Sequence, residues 1–266
     1  MKIFVCAKQV PDTTSKVYVK PDGTLDRAKM RTVTNPDDLA ATEAALVLKE
    51  RFGATVTVVT MGPPRAEEML YELLAMGADD AVLVTGRSFA GSDTYATSRI
   101  LAAAIRTVGF GPSDLILCGQ LSIDGDTAQV GPELAECLGI PQMTFATAIE
   151  AGTDALIVTG RTDTGTRKVR LPFPCLVACT KDSNTPRYPS VDGIFSAYGK
   201  PLTILDLDAL SAGPRLTAED IGLAGSPTNS LLTFAPAPKH RGTMLDGADR
   251  KTCETLASIL AAKHLL

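Results

Sequence analysis

The feature that most constrains this chain is a rhythm: over the first 140 residues, short β-branched apolar runs alternate with longer amphipathic stretches. A strand buried on both faces reads as a continuous apolar run, and a crossover helix reads as a 3.6-residue stripe. The alternation therefore predicts βαβ units around a largely parallel sheet. The predicted strands are Lys2 to Ala7, Thr55 to Thr60, Ala81 to Thr85, and Leu115 to Cys118. Asn35-Pro36-Asp37-Asp38 opens the first long helix, with Asn at the N-cap, Pro at the first helical position and the acids at the positive end of the dipole. Gly53 closes it. A second helix carries Met69, Leu70, Leu73, Leu74 and Met76 and stops at Gly77, a third runs from Tyr95 to Val108 behind Ser92-Asp93-Thr94, and a short one spans about Pro132 to Leu138. Four strands with crossover helices suffice for a doubly wound sheet.

Elsewhere the rhythm breaks. Val17 to Lys29 is polar and interrupted by Pro21-Asp22-Gly23, which predicts a hairpin or loop excursion. From Thr144 to Thr180 the helical period vanishes, and short strands divided by Gly152-Thr153-Asp154 and Asp163-Thr164-Gly165 predict an antiparallel segment. Asn184 to Pro238 is irregular and proline-rich, and a helix over roughly Asp249 to His264 puts Cys253, Leu256, Ala257, Leu260 and Ala261 on one stripe. Such an arm either packs back on its own domain or wraps a partner subunit. The expected fold is α/β, a doubly wound, mostly parallel sheet with an antiparallel extension and a long C-terminal arm.

Composition removes several function classes. A net charge of −4, with no Trp, gives no field for a phosphate backbone and little surface for stacking bases, so nucleic acid is not an expected partner. The only histidines are His240 and His264, so the first 239 residues cannot supply a Ser-His-Asp triad, a Cys-His pair or a His-bearing zinc site. The six cysteines form no C-x-x-C pair and mostly sit in apolar runs. No stretch approaches the ~18 apolar residues of a membrane helix. With no export signal and with thiols that read as reduced, a cytoplasmic location is expected.

Neither G-x-G-x-x-G after the first strand nor a P-loop occurs. The fourth strand instead runs into Gly119-Gln120-Leu121-Ser122-Ile123-Asp124-Gly125-Asp126-Thr127-Ala128-Gln129-Val130-Gly131-Pro132, between a buried strand and a helix N-terminus. Small residues there let backbone approach a ligand, and free N–H groups favour an anion such as a pyrophosphate. Cys6-Ala7, Asn35 to Asp38, Thr60-Met61-Gly62 and Asp93-Thr94 with Thr97 all fall at strand ends or helix starts that this topology gathers around one crevice. Asp124 and Asp126 could serve a divalent metal, but no phosphate-binding Lys or further acids stand beside them in sequence. Ordering the loop through backbone amides, or accepting from a ribose hydroxyl, fits them better.

The run Ile123 to Pro132, with Asn35-Pro36, the opening Val5-Cys6-Ala7-Lys8-Gln9-Val10-Pro11-Asp12 and Asn184-Thr185-Pro186-Arg187-Tyr188, resembles the β subunit of electron-transfer flavoprotein across nearly the whole chain. That resemblance implies half of an αβ heterodimer whose α subunit carries an FAD on a mobile domain. It also divides two branches. In one, the equivalent loop has a third acid and the β subunit holds AMP structurally while electrons shuttle from acyl-CoA dehydrogenases. Here Gly125, Thr127-Ala128, Val130 and Pro132 are similar to the electron-bifurcating and nitrogen-fixation branch, whose β subunit holds FAD and takes hydride from NADH. Electrons then pass to ferredoxin or flavodoxin and, through the α-subunit FAD, to a dehydrogenase. The chemistry would lie on the flavin, with no catalytic side chain. By the same resemblance, 1–183 is the nucleotide-binding domain, 184–200 the partner-recognition loop with Arg187, Tyr188, Val191 and Ile194, and 201–266 an arm and helix packing on the α subunit. A nucleotide-binding enzyme of unrelated family and similar architecture is the remaining reading.

Overall fold

Successive residues of the first strand point to opposite layers, and this fixes the architecture. A computed structural model of the chain describes residues 1–12, 31–152, 154–210, 216–229 and 242–266. In strand β1 (Lys2–Cys6), Ile3 and Val5 enter one apolar core while Phe4 and Cys6 enter a second on the other face of the sheet. The first core takes helices α1 (Pro36–Phe52) and α2 (Glu67–Met76); the second takes α3 (Thr94–Thr107) and α4 (Val130–Leu138). Apolar side chains on both faces of a strand must be covered twice, and helices on both sides do this.

β1 pairs in parallel with β4 (Thr55–Met61) on one flank and with β6 (Leu115–Gly119) on the other. β4 in turn pairs in parallel with β5 (Asp80–Val84). The chain leaves β1 toward β4 and β5, then returns through α3 to β6 on the far side. The reversal of winding thus falls between β1 and β6, and the crevice outside their carboxyl ends is the switch point of the sheet. Two short strands, β2 (Gln9–Pro11) and β3 (Thr32–Thr34), form an antiparallel pair beside it. The polar excursion expected over Val17 to Lys29 lies outside the described residues.

The expected antiparallel extension is present as β7 (Gln142–Ala151), β8 (Ala155–Thr162) and β9 (Gly165–Pro172). One member of that predicted group belongs elsewhere: β10 (Cys175–Cys179) inserts between β6 and β7, parallel to both. All five of its residues are buried, which only a central position allows. The stretch expected to be irregular after Asn184 also contains regular structure. A seven-residue helix α5 (Val191–Ala197) packs on α2, and β11 (Leu202–Leu205) adds a parallel edge strand to β5. The complete order is β11-β5-β4-β1-β6-β10-β7-β8-β9.

The chain divides into two compact units, residues 1–231 and 232–266. Leu205, Leu210, Leu216 and Ile221 join the second core, so the early part of the expected arm is built into the first unit. The second unit contains α6 (Arg250–Ala262), capped by the Asp249 side chain accepting from the Thr252 N–H at 2.8 Å. Leu256 and Ile259 of α6 are exposed. Among the described residues, no helix is long and apolar enough to cross a membrane.

Candidate nucleotide cleft

The carboxyl ends of β1, β4, β5 and β6 surround a cleft of about 970 Å³, within the size range of small-molecule sites. α1 supports it from behind and contributes Asp38 to its wall. Asp37 and Asp38 stand in the first turn, and each carboxylate reaches a different strand end. Asp38 accepts the Lys8 N–H after β1 and the Gly119 N–H at the end of β6, each at 2.8 Å. Asp37 accepts the Lys181 N–H just beyond β10 at 3.0 Å. Burial pushes the Asp38 carboxyl up to about 7 against the opposing pull of those N–H donors, and burial also raises Asp37.

This clasp demands a glycine. A Cβ on Gly119 would lie 2.5 Å from Asp38 Oδ1 and 2.6 Å from the Asp37 Cβ, so only a hydrogen lets β6 end against α1. Asn35 occupies the N-cap position, but its side chain makes no cap bond. Its amide nitrogen donates to Leu121 O at 2.8 Å, and its Oδ1 accepts the Ile123 N–H at 3.2 Å. The local capping rule loses here because both ends of the side-chain amide are engaged by the backbone of loop 121–123.

The loop after β6 is held open by unusual backbone. Asp126 and Ala128 have φ of 54° and 55°, the left-handed region that costs a residue with a Cβ about 1–2 kcal/mol. Strain of this kind concentrates at ligand clamps. Gly125, by contrast, has ordinary space around a hypothetical Cβ, with Ser122 Oγ at 3.6 Å. A lysine does stand beside the loop, contrary to the expectation from sequence. Lys8 Nζ lies 2.7 Å from Asp124 Oδ1 and 3.4 Å from Ser122 Oγ, so β1's end and the loop are bridged by an ion pair. Sequence spacing hides it, because the partners are more than a hundred residues apart.

Of the predicted site residues, Cys6, Ala7, Asp38, Thr60, Met61, Gly62, Asp93, Thr94, Thr97, Ser122, Asp124, Gly125 and Thr127 to Gly131 line this one cleft. Asn35, Pro36, Asp37, Ile123, Asp126 and Pro132 are not on its wall. Asn35 and Asp37 act one layer behind, through the bonds above. Asp93 caps α3 through the Ala96 N–H at 3.0 Å and also accepts the Thr228 N–H at 2.9 Å, which ties residues 216–229 to the cleft's rim. Sequence reasoning missed Lys8, Arg65, and the stretch Gly86-Arg87 after β5. The signal was available for the last, since β5 ends on the same edge as its neighbours. Cys6 and Cys118 share a register in β1 and β6, and burial pushes the Cys6 thiol up to about 12, so it stays neutral. Among the described residues no group of three or more His, Cys, Asp or Glu is placed to hold a metal.

The predicted recognition residues lie in unit 1 beyond β10. Tyr188 is 93% exposed and Phe195 is 80% exposed, with Val191, Ile194 and Tyr198 also on the surface. Arg187 differs: it is engaged inside the chain, with Nη2 on Glu43 at 2.9 Å and Nη1 on Glu50 at 2.6 Å. Those hydrogen bonds hold its guanidinium above its ordinary range. α5 sits close on α2 because Gly193 leaves room for Ala75 O, where a Cβ would collide, and the rings of Tyr71 and Tyr198 meet at 4.5 Å.

Residues 22–218 match the electron transfer flavoprotein domain. The chain is 49% identical over 267 residues to the acryloyl-CoA reductase electron transfer subunit gamma of Anaerotignum propionicum, with all of both chains covered. It is 42% identical to the electron transfer flavoprotein subunit beta of Clostridium acetobutylicum, again over the whole of both. It is 41% identical to the protein FixA of Azotobacter vinelandii, covering 99% of this chain and 94% of the relative. The chain belongs to the electron transfer flavoprotein family and is of the β-subunit type.

Proposed function

We propose that this chain is the β subunit of an electron-bifurcating flavoprotein, that its cleft holds FAD, and that NADH is the electron donor. The observation that carries the reading is the loop after β6. It carries two left-handed residues, Asp126 and Ala128, and supplies Ser122, Asp124, Gly125 and Thr127 to Gly131 to the wall of a cleft large enough for a dinucleotide. Its third potential acid is absent at Gly125, where a carboxylate would face a pyrophosphate. Full-length similarity to FixA and to a subunit named for acryloyl-CoA reductase supports the same branch.

The residues fit the cofactor. Lys8, paired with Asp124, offsets that acid's charge on one side of the loop, the α4 N-terminus supplies N–H groups on the other, and the neutral thiol of Cys6 lines the cleft. Bound there, FAD would supply hydride acceptance from NADH and release of single electrons to ferredoxin or flavodoxin and to the α-subunit FAD. The protein's share is orientation, exclusion of water and electrostatics. The exposed segment from Tyr188 to Tyr198 presents apolar side chains to an acyl-CoA or other flavin dehydrogenase, and α6 packs on the α subunit. The AMP reading keeps the same cleft and makes the nucleotide structural.

A spectrum of the purified αβ complex, followed by rapid mixing with NADH, tests this. Two flavins per heterodimer, bleached by NADH, are expected. One flavin that NADH leaves oxidised, while a reduced acyl-CoA dehydrogenase reduces it, would establish the AMP-holding carrier.

A further inference from the structure

We propose that Glu43 is a positioning residue for partner docking, holding the exposed segment 188–198 in register on α1 through Arg187. The inference rests on the docking role given to that segment above. Three residues of α1, each three further along, meet three residues of the following segment at one constant offset. Asp37 Oδ1 accepts the Lys181 N–H at 3.0 Å, Ala40 O accepts from Asn184 Nδ2 at 2.8 Å, and Glu43 receives Arg187. The last contact is the densest. Glu43 Oε2 accepts both the Arg187 backbone N–H and Nε at 2.9 Å, while Oε1 accepts Nη2 at 2.9 Å.

Glu43 is only 7% exposed, so its charge is stable there only when paired. The guanidinium fork meets it side-on, which fixes direction as well as distance. Because the Arg187 backbone N–H is caught by the same carboxylate, the main chain is fixed too. Tyr188, fully outside, follows at the next residue, and Val191, Ile194 and Phe195 follow on α5. A single buried acid thus sets where an otherwise exposed apolar surface begins. Glu50, which also touches Arg187, is largely exposed and serves as the internal control.

Docking geometry that is preorganised costs less to bind, so losing it raises KM for the partner and spares the chemistry after docking. The test uses the αβ complex with acryloyl-CoA reductase from Anaerotignum propionicum as electron acceptor, comparing Glu43→Gln, Arg187→Lys, Glu50→Gln and Val191→Asp. Glu43→Gln and Arg187→Lys are expected to raise KM for the acceptor at least fivefold, with kcat within twofold and flavin content unchanged. Hydrogen exchange of amides 188–198 should quicken at least tenfold in both. Glu50→Gln should do neither. If Val191→Asp raises KM while Glu43→Gln and Arg187→Lys do not, the positioning role of Glu43 is wrong and the docking reading survives. If Val191→Asp leaves KM unchanged, or the wild-type complex passes no electrons to the acceptor, the docking reading itself fails. An equal effect from Glu50→Gln, or a fall in kcat and flavin content in Glu43→Gln, would overturn the specific role in favour of general charge or folding loss.

Discussion

The carboxylate of Asp38 accepts the N–H of Gly119 at 2.8 Å, and this bond ties the first turn of α1 to the end of β6 at the sheet's switch point. Folding lifts the Asp38 pKa to about 7, so the folded chain holds this proton more tightly than the unfolded one. The associated stability is fully present below about pH 4 and is lost as pH rises through about 7. Asp38→Asn keeps the shape but points an NH2 at one of two N–H donors. It should cost roughly 1–3 kcal/mol at pH 5, and that cost should shrink at pH 8, where the wild type has lost its advantage. Urea unfolding of the two proteins at both pH values checks the sign.

Gly119→Ala is expected to be more damaging than its size suggests. The added methyl meets the backbone carbon of Asp37 at 2.9 Å as well as the two side chains, and backbone cannot swing aside as a rotamer can. A loss of about 1–3 kcal/mol is expected, with reduced flavin retention, read by thermal unfolding and by flavin absorbance after gel filtration.

Gly125→Asp tests the proposed phosphate side of the cleft without disturbing the fold, because the site has room for a Cβ. The new charge should weaken FAD binding by roughly 1–3 kcal/mol, while the midpoint of unfolding of the flavin-free protein stays put. Flavin content equal to wild type after dialysis would count against placing the pyrophosphate at this loop.

Lys8→Met removes the cation that bridges β1 to Asp124. Lys8 is about half exposed, so stability should change by no more than about 1 kcal/mol. Flavin release should nonetheless become several-fold faster, and the difference from wild type should narrow as salt is added. A flavin release rate that matches wild type at low salt would remove Lys8 from the site.

If α6 packs on the α subunit as proposed, covering the exposed Leu256 and Ile259, deletion of residues 249–266 should weaken the heterodimer at least tenfold. Sedimentation of the truncated and full-length chains with the α subunit measures it, and an unchanged affinity would return the arm to its own domain.

The strands near the cleft are legible in the sequence because residues such as Val56 to Val59 are buried on both faces and form an unbroken β-branched run. Loop 119–132 was legible for a similar reason: its small residues and glycines sit contiguously. What stayed hidden depends on long-range placement. Periodicity says that Cys175 to Cys179 is a strand, but not that it slots between β6 and β7. α5 and β11 are too short for a period to emerge, and the prolines and polar residues around them read as irregular chain. Asn35 was recognised by a local rule that the tertiary hydrogen bonds of loop 121–123 override.

Asn35, the N-cap of α1, and Asp38 meet the cleft loops, while Asp37, Ala40 O and Glu43 grip residues 181–187, so one helix sets the phase between the cleft and the proposed docking segment. From Asp38 to Glu43 the axis advances about 7.5 Å and turns through about 500°. A single residue inserted between them would rotate Glu43 by about 100° away from Arg187, and with it the core-facing Ala45, Leu46 and Leu48. The proposed nucleotide and partner surfaces can therefore each change by substitution, but the length of helix that joins them cannot change without uncoupling them.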